Sequence, residues 1–188
     1  MIESVLKSIL ATLYSQIGAC FVVSILFMVV WKNAREQSWK LIIKEWIKDF
    51  RTDCRFREVF FFAFVVIIIL FRTILCRSIW SSNPLKNVIG IWGLKDEKGQ
   101  LYTDGMLNCV LFIPFSFLFM NNYKNASLHK TILCSFLFSL GIETTQLLLK
   151  CGEFQLSDIF YNTFGGLVGS ILFVIFNRIR RAHNSEGN

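Results

Sequence analysis

"FFFAFVVIIILFRTILCR", residues 60–77, holds twelve apolar positions in a row and then meets two arginines, Arg72 and Arg77. An amphipathic helix would show polar positions at a period near 3.6, and a half-buried strand at a period of 2. This run shows neither. A helix must carry about 20 mostly apolar residues to cross a bilayer, because lipid offers no hydrogen bonds and the backbone has to satisfy its own groups. We therefore place a membrane-spanning helix at about 59–79.

Composition extends that reading to the whole chain. Its 188 residues are 54% hydrophobic and include 20 Phe but only 2 Pro, which is too apolar for a typical soluble domain of this size. Further apolar segments lie at about 5–31, 102–123, 131–149 and 157–176. The expectation is an all-α, polytopic membrane helix bundle of about five transmembrane helices, forming a single membrane domain over 1–188. A cleaved signal peptide is the rival for the first segment, where "IGAC" (17–20) faintly resembles a lipoprotein cleavage box. Lys7 is the one basic residue ahead of it and the longest apolar run follows the Cys, so we read a retained helix. The six cysteines show no C-x-x-C and no His at ligand spacing, so we expect no metal, no cofactor and no disulfide framework.

Charge orients the bundle. Segment 32–58 carries Lys32, Arg35, Lys40, Lys44, Lys48, Arg51, Arg55 and Arg57, and the positive-inside rule puts it in the cytoplasm. The N-terminus is then outside and the C-terminus cytoplasmic. Lys124, Lys130, Arg178, Arg180 and Arg181 also fall inside. The formal charge of +7 suits anionic membrane lipids as partners, and no nucleic acid is expected. Within the basic segment, Trp39, Ile42, Ile43, Trp46, Ile47 and Phe50 recur at helical spacing, with Lys40, Lys44, Lys48, Glu45 and Asp49 on the other faces. That pattern predicts an interfacial amphipathic helix at about 38–50, an anchor with Trp at headgroup depth.

Polar residues inside the spans collect at the outer face. Arg72 lies late in the second span with Arg77 beyond it, Asp104 and Asn108 open the third, Glu143 and Gln146 end the fourth, and Asp158 and Asn162 begin the fifth. Glu143 and Gln146 are spaced i, i+3 and Asp158 and Asn162 i, i+4, so each pair shares a helix face. Gly165 and Gly169 continue the Asp158 face as a G-x-x-x-G, which lets a neighbouring helix approach closely. The connection at 150–156 is short, so these two helices form an antiparallel pair with their polar faces opposed. A charge in hydrocarbon costs about 2.5 kcal/mol or more, so such groups face inward and pair. We expect Arg72 to meet Glu143 and Asp158, with Asn108, Gln146 and Asn162 in support and Arg77 as the second outer cation. Polar residues also glue helices together, but six of them from four helices at one depth favour a functional site.

"IETTQLLLKCGEFQLSDIFYNTFGGLVGS" (142–170), preceded by "FRTILCR" and "NCVLFIPFSF", resembles the VanZ-like family of bacterial membrane proteins, named for a teicoplanin-resistance protein. The shared pattern is E-x-x-Q, a short Gly-containing turn, then D-x-x-x-N-x-x-G-x-x-x-G. Here it falls on Glu143, Gln146, Gly152, Asp158, Asn162, Gly165 and Gly169. Arg72, Arg77, Asn108 and Pro114 also match, whereas Ser116 stands where relatives often have Gly and Glu153 where many have a basic residue. The resemblance implies a multi-pass protein of the bacterial cytoplasmic membrane, with a cell-envelope role in resistance to teicoplanin-type antibiotics.

Two functions follow. The leading one is recognition of an amphiphile at the outer leaflet, a lipid-linked cell-wall precursor or a lipoglycopeptide, by arginines set against carboxylates. The alternative is an intramembrane hydrolase or transferase acting on a lipid or lipid-linked sugar, with Glu143 and Asp158 dividing acid and base work. His129 and His183 both fall on the inner side, away from such a site. A transporter ranks last, as the chain shows no internal repeat. Segment 78–103, with Trp80 and Trp92, either covers the site as a lid or marks the outer interface, and we prefer the interface. The pattern names no oligomeric state.

Overall fold

The computed structural model of the chain describes residues 2–31, 39–93 and 103–186, and the side chains of 16–31, 40–93 and 105–183. The described residues form six α-helices in order: α1 (Ile2–Trp31), α2 (Trp39–Thr52), α3 (Cys54–Leu70), α4 (Thr103–Asn122), α5 (Leu128–Leu149) and α6 (Leu156–Glu186). A π-helical turn, Phe71–Leu75, prolongs α3. There is no strand among the described residues. Among the described residues, four stretches are long and apolar enough to cross a membrane, Cys54–Leu75, Gly105–Asn122, Leu128–Leu149 and Leu156–His183, and Gln16–Trp31 of α1 adds a shorter apolar one. Large apolar side chains such as Val30, Leu133, Leu148 and Ile179 point outward, as a bilayer requires. The chain is an all-α membrane helix bundle.

Helix boundaries depart from hydropathy where polar chemistry sets them. The second span begins at Cys54 instead of about 59, because the Asp53 carboxylate accepts the N–H groups of Arg55 (2.8 Å) and Phe56 (3.2 Å) and so caps a polar first turn. It ends at Leu75 instead of about 79, which leaves Arg77 in the loop that follows. The last helix continues to Glu186, well past 176. Its extension carries Arg178, Arg180 and Arg181, cations that suit a helix C-terminus.

The chain crosses back and forth, so the bundle has two chemically distinct ends. One, the loop end, carries segment 78–93, the start of α4, the 150–155 turn and the start of α6. The other, the basic end, carries α2, the 123–127 turn and the arginines late in α6.

Packing inside a bilayer gains little from burying Phe, since lipid is equally apolar; close approach and polar links decide instead. The most extensive packing is α6 on α4, where Gly165 faces the Cys109 carbonyl and Gly169 the Ile113 carbonyl so closely that no Cβ fits at either position. Gly166 packs on Ser135 of α5. Ser116 is fully buried, and its hydroxyl lies 2.9 Å from that of Ser135, a polar link that joins α4 to α5. An apolar core of Ile69, Leu107, Leu111, Phe112, Phe115 and Ile142 unites α3, α4 and α5.

At the basic end, Met28, Phe56 and Phe60 form a second core. Phe60 meets Phe21, Trp46 and Phe50 edge-on at 5.8, 5.8 and 5.5 Å, arrangements worth roughly 0.5–1.5 kcal/mol each. Through these contacts the row Ile42, Trp46 and Phe50 lays α2 against the bundle, while Ile43 and Ile47 remain exposed on its other apolar row. The amphipathic helix is thus a packed part of the fold with a further apolar row left for lipid.

Candidate functional site

The site is built at the loop end, and the π turn begins it. Widening α3 makes the Cys76 N–H donate to Phe71 O, five residues back at 3.1 Å, while the Arg77 N–H donates to Ile74 O at 3.2 Å. The Thr73 carbonyl therefore looks outside its own helix for a donor. Gln146, buried on α5, supplies it, donating from Nε2 at 2.9 Å. The Thr73 hydroxyl turns back to Ile69 O at 2.7 Å. Arg72 lies inside this turn and Arg77 just past it.

The turn between α5 and α6 is fastened by the same buried residues. Lys150 ends α5 in the left-handed conformation (φ 49°), and its N–H and that of Cys151 both donate to Gln146 O. Glu143, 2% exposed, accepts the Gln155 N–H on Oε2 at 2.9 Å. A Cβ at Gly152 would lie 2.5 Å from Arg77 Nη1 and 2.7 Å from Gln146 Oε1, so glycine there lets the guanidinium reach the turn.

Segment 78–93 runs alongside. Trp80 N–H donates to Leu149 O, Ser81 and Ser82 N–H to Lys150 O, Phe154 N–H to Pro84 O, Leu156 N–H to Val88 O and Ser157 N–H to Ile89 O. The Ser82 hydroxyl adds a bond to Gly152 O at 2.7 Å, and Lys150 Nζ sits 5.1 Å over the Trp80 ring. Tyr161 Oη accepts the Gly93 N–H at 2.7 Å. Trp80 and Trp92 are exposed, as interface residues would be, yet the same segment walls the site.

Between these parts lies a cavity of about 310 Å³, lined by Arg72, Arg77, Asn108 and Asp158 together with Asn87, Ile91, Glu153 and Gln155. Arginines and carboxylates thus balance two to two among amides, with Ile91 the one apolar wall. The arrangement offers bidentate donors for phosphate or carboxylate and acceptors for hydroxyl or ammonium groups.

The other expected residues form a layer behind the cavity. Glu143 ties the turn, Gln146 ties α5 to the π turn, and Asn162 donates to the Ser139 hydroxyl at 2.8 Å across α5 and α6. Asn162 Oδ1 is buried without a protein partner. Arg77 and Asp158 both lie within electrostatic reach of the Glu143 carboxylate. Gly165 and Gly169 face α4 and are not among the residues that line this cavity. Asp104 lies in the first turn of α4, and its side chain is outside the described residues.

Sequence reading named Glu153 only as a departure from the family pattern and did not place Asn87, Ile91 or Gln155 at the site. Each sits in a connection, where no periodicity assigns a face. The polar pair Glu153 and Gln155, flanking Phe154, was the available signal.

No curated protein and no solved structure matches the chain. The family profile described as VanZ/LLP1 matches residues 17–177, which takes in α3 to the body of α6, the π turn and every residue that lines the cavity. With most of its length covered, the chain belongs to the VanZ/LLP1 family.

Proposed function

We propose that the chain recognises the polar headgroup of an amphiphile at the outer leaflet, a lipid-linked cell-wall precursor or a lipoglycopeptide antibiotic, and that this underlies a role in teicoplanin-type resistance. The observation that carries it is the charge-balanced cavity of about 310 Å³ at one end of a membrane bundle. A monotonously basic pocket would suit any anion; Arg72 and Arg77 facing Asp158 and Glu153 suit a headgroup with both acidic and donor groups. The excess of Lys and Arg at the opposite end supports an outward-facing cavity. Buried Glu143 and Gln146 act in this reading as positioning residues for the turn and for Arg77.

Susceptibility to teicoplanin and vancomycin tests the proposal, in a strain expressing wild-type chain, Arg77→Ala or Asp158→Asn at equal membrane abundance. Wild type should protect against teicoplanin more than vancomycin, and either variant should remove the difference. Equal susceptibility with and without wild-type chain would refute it. The second reading, a lipid hydrolase or transferase using Glu143 and Asp158, keeps Asp158 in the cavity lining, where Glu153 is the other carboxylate and Glu143 lies behind. Mass spectrometry of membrane lipids separates the two, since binding alone leaves the lipid profile unmodified.

A further inference from the structure

A cavity of about 480 Å³ opens at the basic end of the bundle, opposite the end that holds the arginine cavity. The end of α4 and the turn after it form one wall, and the late turns of α6 form the other. On α6 the lining residues Phe173, Val174, Asn177, Arg178 and Arg181 recur at i, i+1, i+4, i+5 and i+8, which is one helix face. Over a rise of roughly 12 Å that face passes from apolar to amide to cationic. Lys124 adds a further cation from the turn opposite.

Lys124, Arg178 and Arg181 meet no counter-charge from the chain. No carboxylate lines the cavity, and among the described residues no acidic side chain pairs with any of the three. Carbonyls at the end of α4 do not claim them either. Leu118 O accepts from Asn122 Nδ2 at 2.9 Å, Phe119 O from the Tyr123 N–H at 3.0 Å, and Tyr123 O from the Ala126 N–H at 2.9 Å. Arg178 and Arg181, three apart on a helix, are neighbours of like charge, so an anion between them relieves their repulsion. Where the arginine cavity answers its cations with carboxylates, this one leaves the counter-charge to an occupant. Guanidinium forks match phosphate oxygens bidentately, and the amides of Asn121 and Asn177 can donate to those that remain. Below the cations the floor is apolar. Phe173 is held edge-on to Phe117 of α4 at 5.5 Å, with Val174 and Met120 beside it.

We propose that this cavity binds the phosphate of an anionic glycerophospholipid from the leaflet at the basic end, with Arg178, Arg181 and Lys124 around the phosphate and the start of an acyl chain against Phe173 and Val174. The cations stand at the end of the apolar stretch Leu156–His183, the depth at which such phosphates lie, and the bilayer supplies this occupant at high local concentration. A soluble phosphate ester would leave the apolar floor uncovered, which favours the lipid. Net charge alone points to anionic lipid anywhere along the basic face; the cavity assigns it to one set of residues. The site is separate from the arginine cavity, so either reading stands if the other fails.

Native mass spectrometry of the full chain, delipidated in mild detergent and titrated with phosphatidylglycerol or phosphatidylcholine at constant ionic strength, tests it. Both lipids carry a phosphate, but the choline of the second brings a fixed cation that this cavity repels. Wild-type chain should retain one phosphatidylglycerol with about tenfold preference over phosphatidylcholine. Arg178→Gln and Arg181→Gln, both at exposed helical positions, should each weaken phosphatidylglycerol about fivefold, as loss of one basic group near anionic lipid gives. Arg180→Gln removes the same charge from α6 outside the cavity lining and should leave the affinity within about twofold of wild type. Circular dichroism should show equal helix content in all three variants. Glycerol 3-phosphate, the headgroup ester without its chains, should leave the lipid bound even in large excess. Equal retention of both lipids by wild type, an equal loss in Arg180→Gln and Arg178→Gln, or displacement of the lipid by glycerol 3-phosphate would each overturn the proposal.

Discussion

Replacing Gly165 by Ala tests the packing that shapes the bundle. A Cβ at Gly165 would press on the Cys109 carbonyl more closely than real Cβ atoms ever approach, and the obstacle is backbone, which cannot swing aside. The helices must separate, and a gap of roughly 0.5–1 Å forfeits a quarter to a half of each affected dispersion contact. Overpacking of this kind costs about 1–3 kcal/mol, while replacing Gly by Ala inside a helix returns about 0.5–1, so a net loss of roughly 1–2 kcal/mol is expected. Gly141 supplies the internal control, because nothing lies within 4 Å of a Cβ built there. Gly141→Ala should keep the helical gain and stabilise by about 0.5–1 kcal/mol, placing the two variants about 2 kcal/mol apart. Reversible unfolding of the full chain in mixed detergent micelles measures both. If the two substitutions shift stability in the same direction by the same amount, the close α4 to α6 seam is wrong.

Three further substitutions probe the polar fastenings. Asp53→Ala removes the cap accepted by Arg55 and Phe56 N–H and should cost about 1 kcal/mol in the same unfolding assay. Gln146→Leu deprives the Thr73 carbonyl of its donor and should destabilise by about 1–3 kcal/mol, with faster amide exchange concentrated in 71–77. Glu143→Gln keeps an oxygen for the Gln155 N–H, whereas Glu143→Leu leaves that N–H unpaired. The first should therefore accumulate in the membrane and resist proteolysis in the 150–157 turn as wild type does, and the second should be cut there several times faster.

The membrane bundle was legible because its cause is local: twelve apolar residues ending at Arg72 leave a chain few alternatives. The convergence of Arg72, Asn108, Asp158 and Glu143 at one end was also legible, since alternating crossings fix which helix ends meet. Their division of labour was not. Spacing puts Glu143 and Gln146 on one face of α5, but it does not reveal that the π turn after Leu70 exposes the Thr73 carbonyl and draws Gln146 away from the cavity. Nor does it reveal that Gln155 N–H waits at the turn for Glu143. Both demands come from main-chain groups orphaned at helix ends, which sequence patterns of side chains do not register. The connections were the least readable, for Asn87 and Ile91 enter the wall only through the backbone ladder that joins 80–89 to 149–157.

The glycine seam and the cavity are parts of one construction. Asp158 and Gly165 lie seven residues apart on one face of α6, two turns or about 10.5 Å. Across the seam, Gly165 touches Cys109, the neighbour of Asn108, so the distance between Asn108 and Asp158 across the cavity is set where the two backbones meet. A methyl group at Gly165 therefore acts on the cavity without entering it, by pushing one wall from the other. Bulk at Gly152 acts from the opposite side, against the guanidinium of Arg77. Two glycines on separate elements thus hold the arginine and amide walls at their working distance. Loss of cavity function in Gly165→Ala, with helix content and membrane abundance retained, is what this construction requires.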